Sequence, residues 1–142
     1  LLGFYTSVTA AADDDKPVLA YHFPGVAGGE VPVEALRDLP VAGLKDSTGD
    51  AERLLRELAA WDGWTYVGSS AVVTLAGILG APGAILAVAN AYPQECVAAF
   101  HGDAAAQHGL LEAHLTAKTA FPHGIKGLVA KRFGTSTAAR MG

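Results

Sequence analysis

The sequence predicts an α/β fold in which parallel β-strands alternate with helices, as in half of an eight-stranded (β/α)₈ barrel. Four apolar runs with strand character are each followed by a helical pattern, at intervals of about 20 to 25 residues. The 142-residue chain is 51% hydrophobic and 17% charged and contains 17 glycines, a composition that suits a parallel sheet covered by helices. Polar residues follow the strands, as in a barrel. No Gly-x-Gly-x-x-Gly or P-loop motif follows the first strand, although a doubly wound sheet would favour one.

The first repeat follows the end of a helix. Leu1–Ala12 has an amphipathic helical pattern, and Asp13–Pro17 is a solvated turn that leads out of it. Val18–Phe23 is predicted to be a strand because its apolar and aromatic run stops at Pro24-Gly25. After a glycine-rich loop at 26–30, Pro32–Leu39 is predicted to form a short helix, with its proline suited to the first turn.

The second repeat contains a strand, Val41–Lys45, and a helix, Asp50–Trp61. In this helix Leu54, Leu55 and Leu58 recur at helical spacing and are expected to face the core. The charged residues of the helix are expected to face solvent: Glu52, Arg53, Arg56 and Glu57.

The third and fourth repeats continue the alternation. Trp64–Gly68 is the third strand and Ala71–Leu79 is the helix after it. Gly83–Val88 is the fourth strand and Pro93–His101 is its helix. Residues 1–103 would therefore form the half barrel.

Residues 104–142 are predicted to be a C-terminal helical extension. Ala104–Ala120 is a long alanine-rich helix with Leu110, Leu111 and Leu115 on one face. Ile125–Phe133 is a further helix, stopped by Gly134. The sequence opens on a leucine within a helical pattern, so we expect it to be a piece of a longer protein.

The charge, the cysteine count and the histidine spacing of the sequence limit which ligands and partners are expected. A net charge of −4 without a basic stripe argues against nucleic-acid and anionic-membrane partners, so small molecules are expected. Cys96 is the single cysteine and cannot form an internal disulfide, which fits a cytoplasmic location. The five histidines form no cluster with zinc-ligand spacing, so no metal site is expected.

Two strand ends carry residues suited to carbonyl chemistry. Lys45 ends an apolar strand, where partial desolvation frees an amine as a nucleophile toward carbonyls. Tyr21 ends the preceding strand, and a phenol within reach can relay the protons that imine formation requires. The alternatives are a Lys45 that points to solvent or pairs with Asp46 or Asp50, and a Tyr21 whose hydroxyl bonds to the backbone.

The segments 21–25 (YHFPG) and 43–50 (GLKDSTGD) together resemble paired motifs of the dihydrodipicolinate synthase / N-acetylneuraminate lyase family. The segments 67–70 (VGSS) and 83–90 (GAILAVAN) resemble the ends of its seventh and eighth strands. The resemblance implies that the four strands are strands five to eight of the barrel. It also implies that Lys45 forms an imine with a 2-oxo acid, usually pyruvate, that Tyr21 relays protons, and that backbone beside Ile85 approaches the keto acid.

The resemblance further implies class I aldol chemistry on 2-oxo acid and aldehyde substrates, with no metal or cofactor beyond the lysine imine. The full-length protein is then expected to be a homodimer or homotetramer. Ser47 would bind a substrate hydroxyl or carboxylate, or else cap the following helix. Gly68 and Ser69 would contact substrate, although Gly68-Ser69-Ser70 also suits a simple helix cap.

Two departures bear on the substrate. Val26 stands where dihydrodipicolinate synthases proper carry an arginine that binds the aldehyde's carboxylate. Residues 45–47 (KDS) and 121–128 (FPHGIKGL) are closer to the 4-hydroxy-2-oxoglutarate aldolase branches. Two alternatives remain open at this point: dihydrodipicolinate synthase itself, and a half barrel that is catalytically incomplete or serves as an interaction module.

Overall fold

The computed structural model describes residues 1–13 and 15–140. Its strands are β1 (Leu19–His22), β2 (Gly43–Asp46), β3 (Trp64–Val67) and β4 (Gly83–Ala84). Its α-helices are α1 (Leu2–Ala11), α2 (Pro24–Ala27), α3 (Ala51–Ala60), α4 (Val73–Ile78), α5 (Pro93–Phe100), α6 (Ala104–Gly109), α7 (Leu111–Thr119) and α8 (His123–Phe133). Short 3₁₀ helices lie at Val33–Asp38, Ser70–Val72 and Val88–Asn90. The predicted turn at Asp13–Pro17 includes Asp14, which lies outside the described residues.

The four strands form one parallel sheet in the order β1-β2-β3-β4. Tyr21 of β1 is in register with Lys45 of β2, and Lys45 is in register with Tyr66 of β3. Successive strands therefore end at one edge of the sheet, where the loops that follow them meet. The predicted α/β fold with a parallel sheet is confirmed.

The fourth strand is shorter than the predicted segment Gly83–Val88. It ends at Ala84, although the Ile85 amide still donates to the Val67 carbonyl oxygen at 2.9 Å. The backbone of Ala87 is helical, with φ −62° and ψ −37°. An unbroken apolar run lacks the alternation that separates a strand from a buried helical turn, so the sequence overestimates this strand.

The predicted helix Ala104–Ala120 is two helices, α6 and α7, which meet at Leu110. Gly109, a weak helix former, precedes the break. Leu110 is buried, whereas Leu111 and Leu115 are about half exposed. The prediction that these three leucines lie on one face of a single helix is wrong, because Leu110 lies at the break and is buried while the other two are exposed.

Helix α3 buries charge where the sequence predicts an exposed charged face. Leu54 is buried and Leu55 is half exposed, while the Glu57 side chain is fully buried and Arg53 is largely covered. Glu57 lies three residues after Leu54 and therefore shares its stripe of the helix. The expectation that Arg53 and Glu57 face solvent is wrong, and the two pair with each other inside.

The C-terminal helices pack into the same hydrophobic cluster as α4 and α5. Its buried residues are Val73, Val88, Cys96, Ala99, Leu110 and Ala113. Burial raises the pKa of the Cys96 thiol to about 11, so this thiol is a packing group and not a nucleophile. The domain division between residues 103 and 104 stays a prediction.

Candidate active site

The structure brings Tyr21 and Lys45 together at the C-terminal ends of β1 and β2. The Lys45 Nζ lies 4.4 Å from the centroid of the Tyr21 ring, within the range of a cation–π contact. The Tyr21 side chain is 48% exposed and Lys45 is half-buried. Their strand register causes this proximity, because paired residues of neighbouring parallel strands project to the same side of the sheet.

Ser47 links the loop after β2 to Tyr21. Its Oγ donates a hydrogen bond to the Tyr21 hydroxyl at 3.3 Å, and its backbone N–H donates to the His22 carbonyl oxygen at 2.9 Å. Helix α3 is capped instead by Asp50, whose carboxylate accepts from the Arg53 backbone N–H at 3.1 Å. Ser47 therefore has a hydroxyl directed at Tyr21 and does not cap the helix.

Gly68 at the end of β3 leaves the space that Lys45 and Ser47 occupy. A Cβ built on Gly68 would overlap Ser47 Oγ and would lie 2.9 Å from Lys45 Cε. Any side chain at this position would displace one of the two. Glycine is therefore a steric requirement of the Lys45 environment.

Of the two remaining predicted substrate-binding residues, Ser69 lines the cleft beside Lys45 and Ile85 does not. The Ser69 Oγ accepts from the Ala71 backbone N–H at 3.4 Å, a weak cap of the following 3₁₀ helix, and Ser69 also lines the cleft described below. Ile85 is 42% exposed and does not line that cleft, whereas its neighbours Leu86, Ala87 and Val88 do.

A cleft of about 800 Å³ opens above these strand ends. Its lining residues come from the loops after β1 to β4 and from α7 and the segment after it: Tyr21, Phe23, Pro24, Gly25, Val26, Lys45, Ser47, Thr48, Gly49, Gly68, Ser69, Ser70, Ala71, Leu86, Ala87, Val88, His114, Ala117, Lys118 and Phe121. Two of these, Lys45 and Lys118, carry positive charge, and none of them is a carboxylate. The cleft is thus electrostatically suited to an anionic ligand.

The contribution of the C-terminal helices was missed by sequence reasoning. The Ser70 Oγ and His114 Nδ1 are 3.0 Å apart, and Gln107 Nε2 donates to the Ser70 carbonyl oxygen at 2.9 Å. Burial, and secondarily the charge of Lys118, lowers the pKa of His114 and favours its neutral form. Ser70 is far from His114 and Gln107 in the chain, so no sequence motif predicts these contacts.

Behind the sheet edge, on the side of α3, lies a set of buried polar side chains. Asp46 accepts hydrogen bonds from the Thr48 N–H at 3.1 Å and from the Thr48 hydroxyl at 2.6 Å. Arg53 Nε is 2.7 Å from Glu57 Oε1, and its Nη2 donates to the Val31 carbonyl oxygen at 2.6 Å. His22 Nδ1 accepts from the Val31 N–H at 3.0 Å, and burial, followed by the charge of Arg53, lowers the His22 pKa.

No group of three or more His, Cys, Asp or Glu side chains among residues 1–13 and 15–140 is placed to hold a metal ion. Within the same residues, no helix combines the length and hydropathy needed to cross a bilayer. The expected absence of a cofactor stays a prediction.

Comparison with known proteins identifies the relatives of this chain. It is 36% identical over 110 residues to a 4-hydroxy-tetrahydrodipicolinate synthase of Thermus thermophilus. The aligned region covers 70% of this chain and 37% of that protein. It is 35% identical over 95 residues to an uncharacterized DapA-like lyase of Halobacterium salinarum, covering 63% of this chain and 31% of the relative. The chain is therefore similar to proteins of the dihydrodipicolinate synthase family over part of their length. No family model matches it.

Solved structures related to the dihydrodipicolinate synthase family share the fold. The dihydrodipicolinate synthase of Agrobacterium tumefaciens superposes with a TM-score of 0.83 at 24% identity, over 99% of this chain and 52% of that one. A Sulfolobus 2-keto-3-deoxygluconate aldolase superposes with a TM-score of 0.78 at 16% identity, over 96% and 50% respectively. The chain thus spans about half the length of these structures and about a third of the length of the curated relatives.

Proposed function

We propose that the chain carries the imine-forming half of a class I aldolase or lyase that acts on pyruvate or another 2-oxo acid. The observation that supports this most directly is the placement of the Lys45 amine. It is half-buried and 4.4 Å from the Tyr21 ring centroid, in a cleft whose described lining contains no carboxylate. An amine without an acidic partner in the cleft is free to approach a bound carbonyl carbon.

In the proposed reaction the neutral form of the Lys45 amine bonds to C2 of the 2-oxo acid as the C=O π bond breaks, and a proton moves from the nitrogen to the oxygen, which becomes a hydroxyl. Tyr21 supplies the proton with which this hydroxyl leaves as water, and a protonated imine results. During cleavage the C3–C4 bond breaks, its electron pair forms an enamine with the imine, and the C4 hydroxyl loses a proton as the aldehyde departs. Protonation at C3 and hydrolysis return the free amine and the 2-oxo acid. Condensation is the reverse.

The cleft favours an anionic substrate. Lys118 provides a second positive charge on the wall formed by α7, and Ser47, Gly68 and Ser69 offer polar groups beside Lys45. We propose that a carboxylate of the substrate binds between these groups. Val26 lines the cleft with a 73% exposed side chain in the position where an arginine would clamp a second carboxylate.

The finer architecture that we propose is strands five to eight of a (β/α)₈ barrel. Two findings support it: the solved relatives are matched over about half of their length, and the site lies at the C-terminal edge of a parallel sheet. In the described sheet β1 and β4 are edge strands. The alternative function, an incomplete half barrel or an interaction module, would use those open edges for pairing.

A trapping experiment tests the proposed chemistry. The chain is incubated with pyruvate and sodium borohydride, and peptides are examined by mass spectrometry for an N-(1-carboxyethyl) adduct on Lys45. Lys45→Arg should abolish the adduct, while Lys126→Arg, on α8, should not. A folded chain that forms no adduct would exclude imine chemistry for this chain and favour the incomplete-barrel alternative.

The second substrate is tested with the longer protein that contains this chain. Cleavage of a 4-hydroxy-2-oxo acid, without condensation of pyruvate and aspartate semialdehyde, would support the aldolase branch. The opposite result would support dihydrodipicolinate synthase, the activity named for the Thermus thermophilus relative. A cytoplasmic location and a homo-oligomeric state stay predictions.

A further inference from the structure

Asp46, Arg53 and Glu57 form a buried charge cluster next to the cleft but outside it. Their side chains are 3%, 15% and 0% exposed. Within the described residues neither oxygen of Glu57 has a hydrogen-bond partner, although Arg53 Nε lies 2.7 Å from Oε1. Burying ionic groups costs desolvation free energy that pairing rarely recovers in full, so such a cluster is weak evidence for stability alone.

The buried charge cluster is connected to the candidate active site through one loop. Asp46 directly follows Lys45, and both of its carboxylate oxygens bind Thr48. The Thr48 hydroxyl in turn accepts from the Asp50 backbone N–H at 3.2 Å. Ser47, held inside this loop, donates to the Tyr21 hydroxyl. The Asp46 carboxylate and the Ser47 hydroxyl that contacts Tyr21 therefore belong to the same hydrogen-bonded loop.

Arg53 is shared between two carboxylates. Its Nε lies 2.7 Å from Glu57 Oε1 and 3.8 Å from Asp46 Oδ1. One guanidinium charge cannot neutralise both, so the protonation of Glu57 decides how much of that charge remains for Asp46. When Glu57 is protonated, the Arg53 charge is available to Asp46, which is then fixed as the acceptor for Thr48. When Glu57 is ionised, two buried carboxylates compete for one cation.

We propose that Arg53 and Glu57 are positioning residues that fix the Asp46–Asp50 loop and thereby the contact of Ser47 with Tyr21, in a manner that depends on the charge of Glu57. Neither residue lines the cleft. The consequence for catalysis rests on the proposed function, whereas the consequence for the loop does not.

The surroundings of Glu57 raise the pKa of its carboxyl group into the neutral pH range. Burial, and then the charge of Asp46, raises the pKa of Glu57 to about 7, while Arg53 opposes the rise. The other charged groups that act on it or on its partners are Asp50 at the start of α3, His22 on β1, Glu30, which acts on His22, and Glu34, which interacts with Arg53. Burial lowers the pKa of His22 and favours its neutral form, and Arg53 is the cation that lies within 4 Å of Asp46 and Glu57.

The loop is tested by amide hydrogen exchange, which needs no enzymatic activity. The Thr48 N–H, which donates to Asp46, is followed by NMR in the wild-type chain and in Glu57→Gln, with Glu52→Gln as a matched control on the exposed side of α3. Corrected for intrinsic exchange, wild-type protection at Thr48 should fall about tenfold as the pH rises from 6 to 8, because ionised Glu57 competes for the Arg53 charge and Asp46 is then held less firmly against Thr48. The fall should persist in the control Glu52→Gln and disappear in Glu57→Gln.

A second pair of variants separates positioning from general destabilisation. Arg53→Lys keeps a cation near both carboxylates and should retain most of the Thr48 protection, whereas Arg53→Gln should lose it at both pH values. If Arg53→Gln does not fold, Glu57→Gln alone decides the question. Protection at Thr48 that has the same pH dependence in wild type and Glu57→Gln would overturn the proposal.

The catalytic consequence is measured separately as the pH dependence of borohydride trapping on Lys45. Glu57→Gln should flatten the profile of the trapping rate between pH 6 and 8 without abolishing the adduct. No adduct in the wild-type chain would refute the proposed function and leave the exchange result to decide the loop. An adduct whose pH profile is the same in wild type and Glu57→Gln would refute the catalytic consequence of positioning.

Discussion

Replacing Glu57 by glutamine should alter how the stability of the fold depends on pH. The pKa of Glu57 is raised from 4.5 to about 7 in the folded chain, chiefly by burial. The folded state therefore binds this proton more tightly than the unfolded state does. Stability from this group is complete below pH 4.5 and is lost as the pH rises to 7. The rise in pKa corresponds to about 3 kcal/mol of unfolding free energy.

The assay is urea denaturation at pH values from 4 to 8, followed by the fluorescence of Trp61 and Trp64. Relative to wild type, Glu57→Gln should gain about 3 kcal/mol of unfolding free energy between pH 4.5 and 7. Glu52→Gln, an exposed change on the same helix, should follow the wild-type curve. Parallel curves for wild type and Glu57→Gln would show that Glu57 does not carry a raised pKa, and would refute the reasoning from its burial.

Three further substitutions test the site. Tyr21→Phe should slow imine trapping at least about a hundredfold, as expected for loss of a general acid; an unchanged trapping rate would remove Tyr21 from the proposed mechanism. Gly68→Ala should lower the unfolding free energy by about 1–3 kcal/mol and reduce trapping, because its Cβ would overlap Ser47 Oγ. Gly127→Ala, where a Cβ meets nothing within 4 Å, serves as its control, and equal effects of the two would contradict the steric argument. Lys118→Met should raise the pyruvate concentration needed for half-maximal trapping several-fold, whereas the exposed Lys131→Met should not; no difference between them would exclude Lys118 from substrate binding.

Most of the fold was accessible from sequence because strand boundaries are set locally. The segment Val18–Phe23 ends at a proline and a glycine, and β1 lies within it. The break at Leu110 was not accessible, since alanine-rich sequence favours helix on both sides and tertiary packing of Leu110 decides the interruption. The end of β4 was overestimated for a related reason, because its apolar residues suit a strand and a buried turn equally.

The Tyr21–Lys45 proximity was predictable because both residues end neighbouring parallel strands, and such ends lie at the same edge of a sheet. The buried charge cluster was not. The helical pattern predicts that Arg53 and Glu57 face solvent. Arg53 is instead largely covered beside Asp46, which lies on the neighbouring strand β2, and its charge is shared by the two buried carboxylates. The Ser70–His114 contact joins elements 44 residues apart and depends on how α7 packs against the strand ends. Long-range contacts of this kind leave no periodic signal in the chain.

The cleft is lined by two kinds of element, the strand ends that carry Lys45 and the helix α7. Lys45 and its neighbours are fixed by strands, where a change of side chain disturbs register and packing. Ala117 and Lys118, by contrast, sit on one helix, where the first is small and the second is exposed. A larger residue at Ala117 would shorten the cleft, and a neutral one at Lys118 would change the charge it accepts. Under the proposed function, selection among substrates would then depend on a helix that supplies no reacting atom.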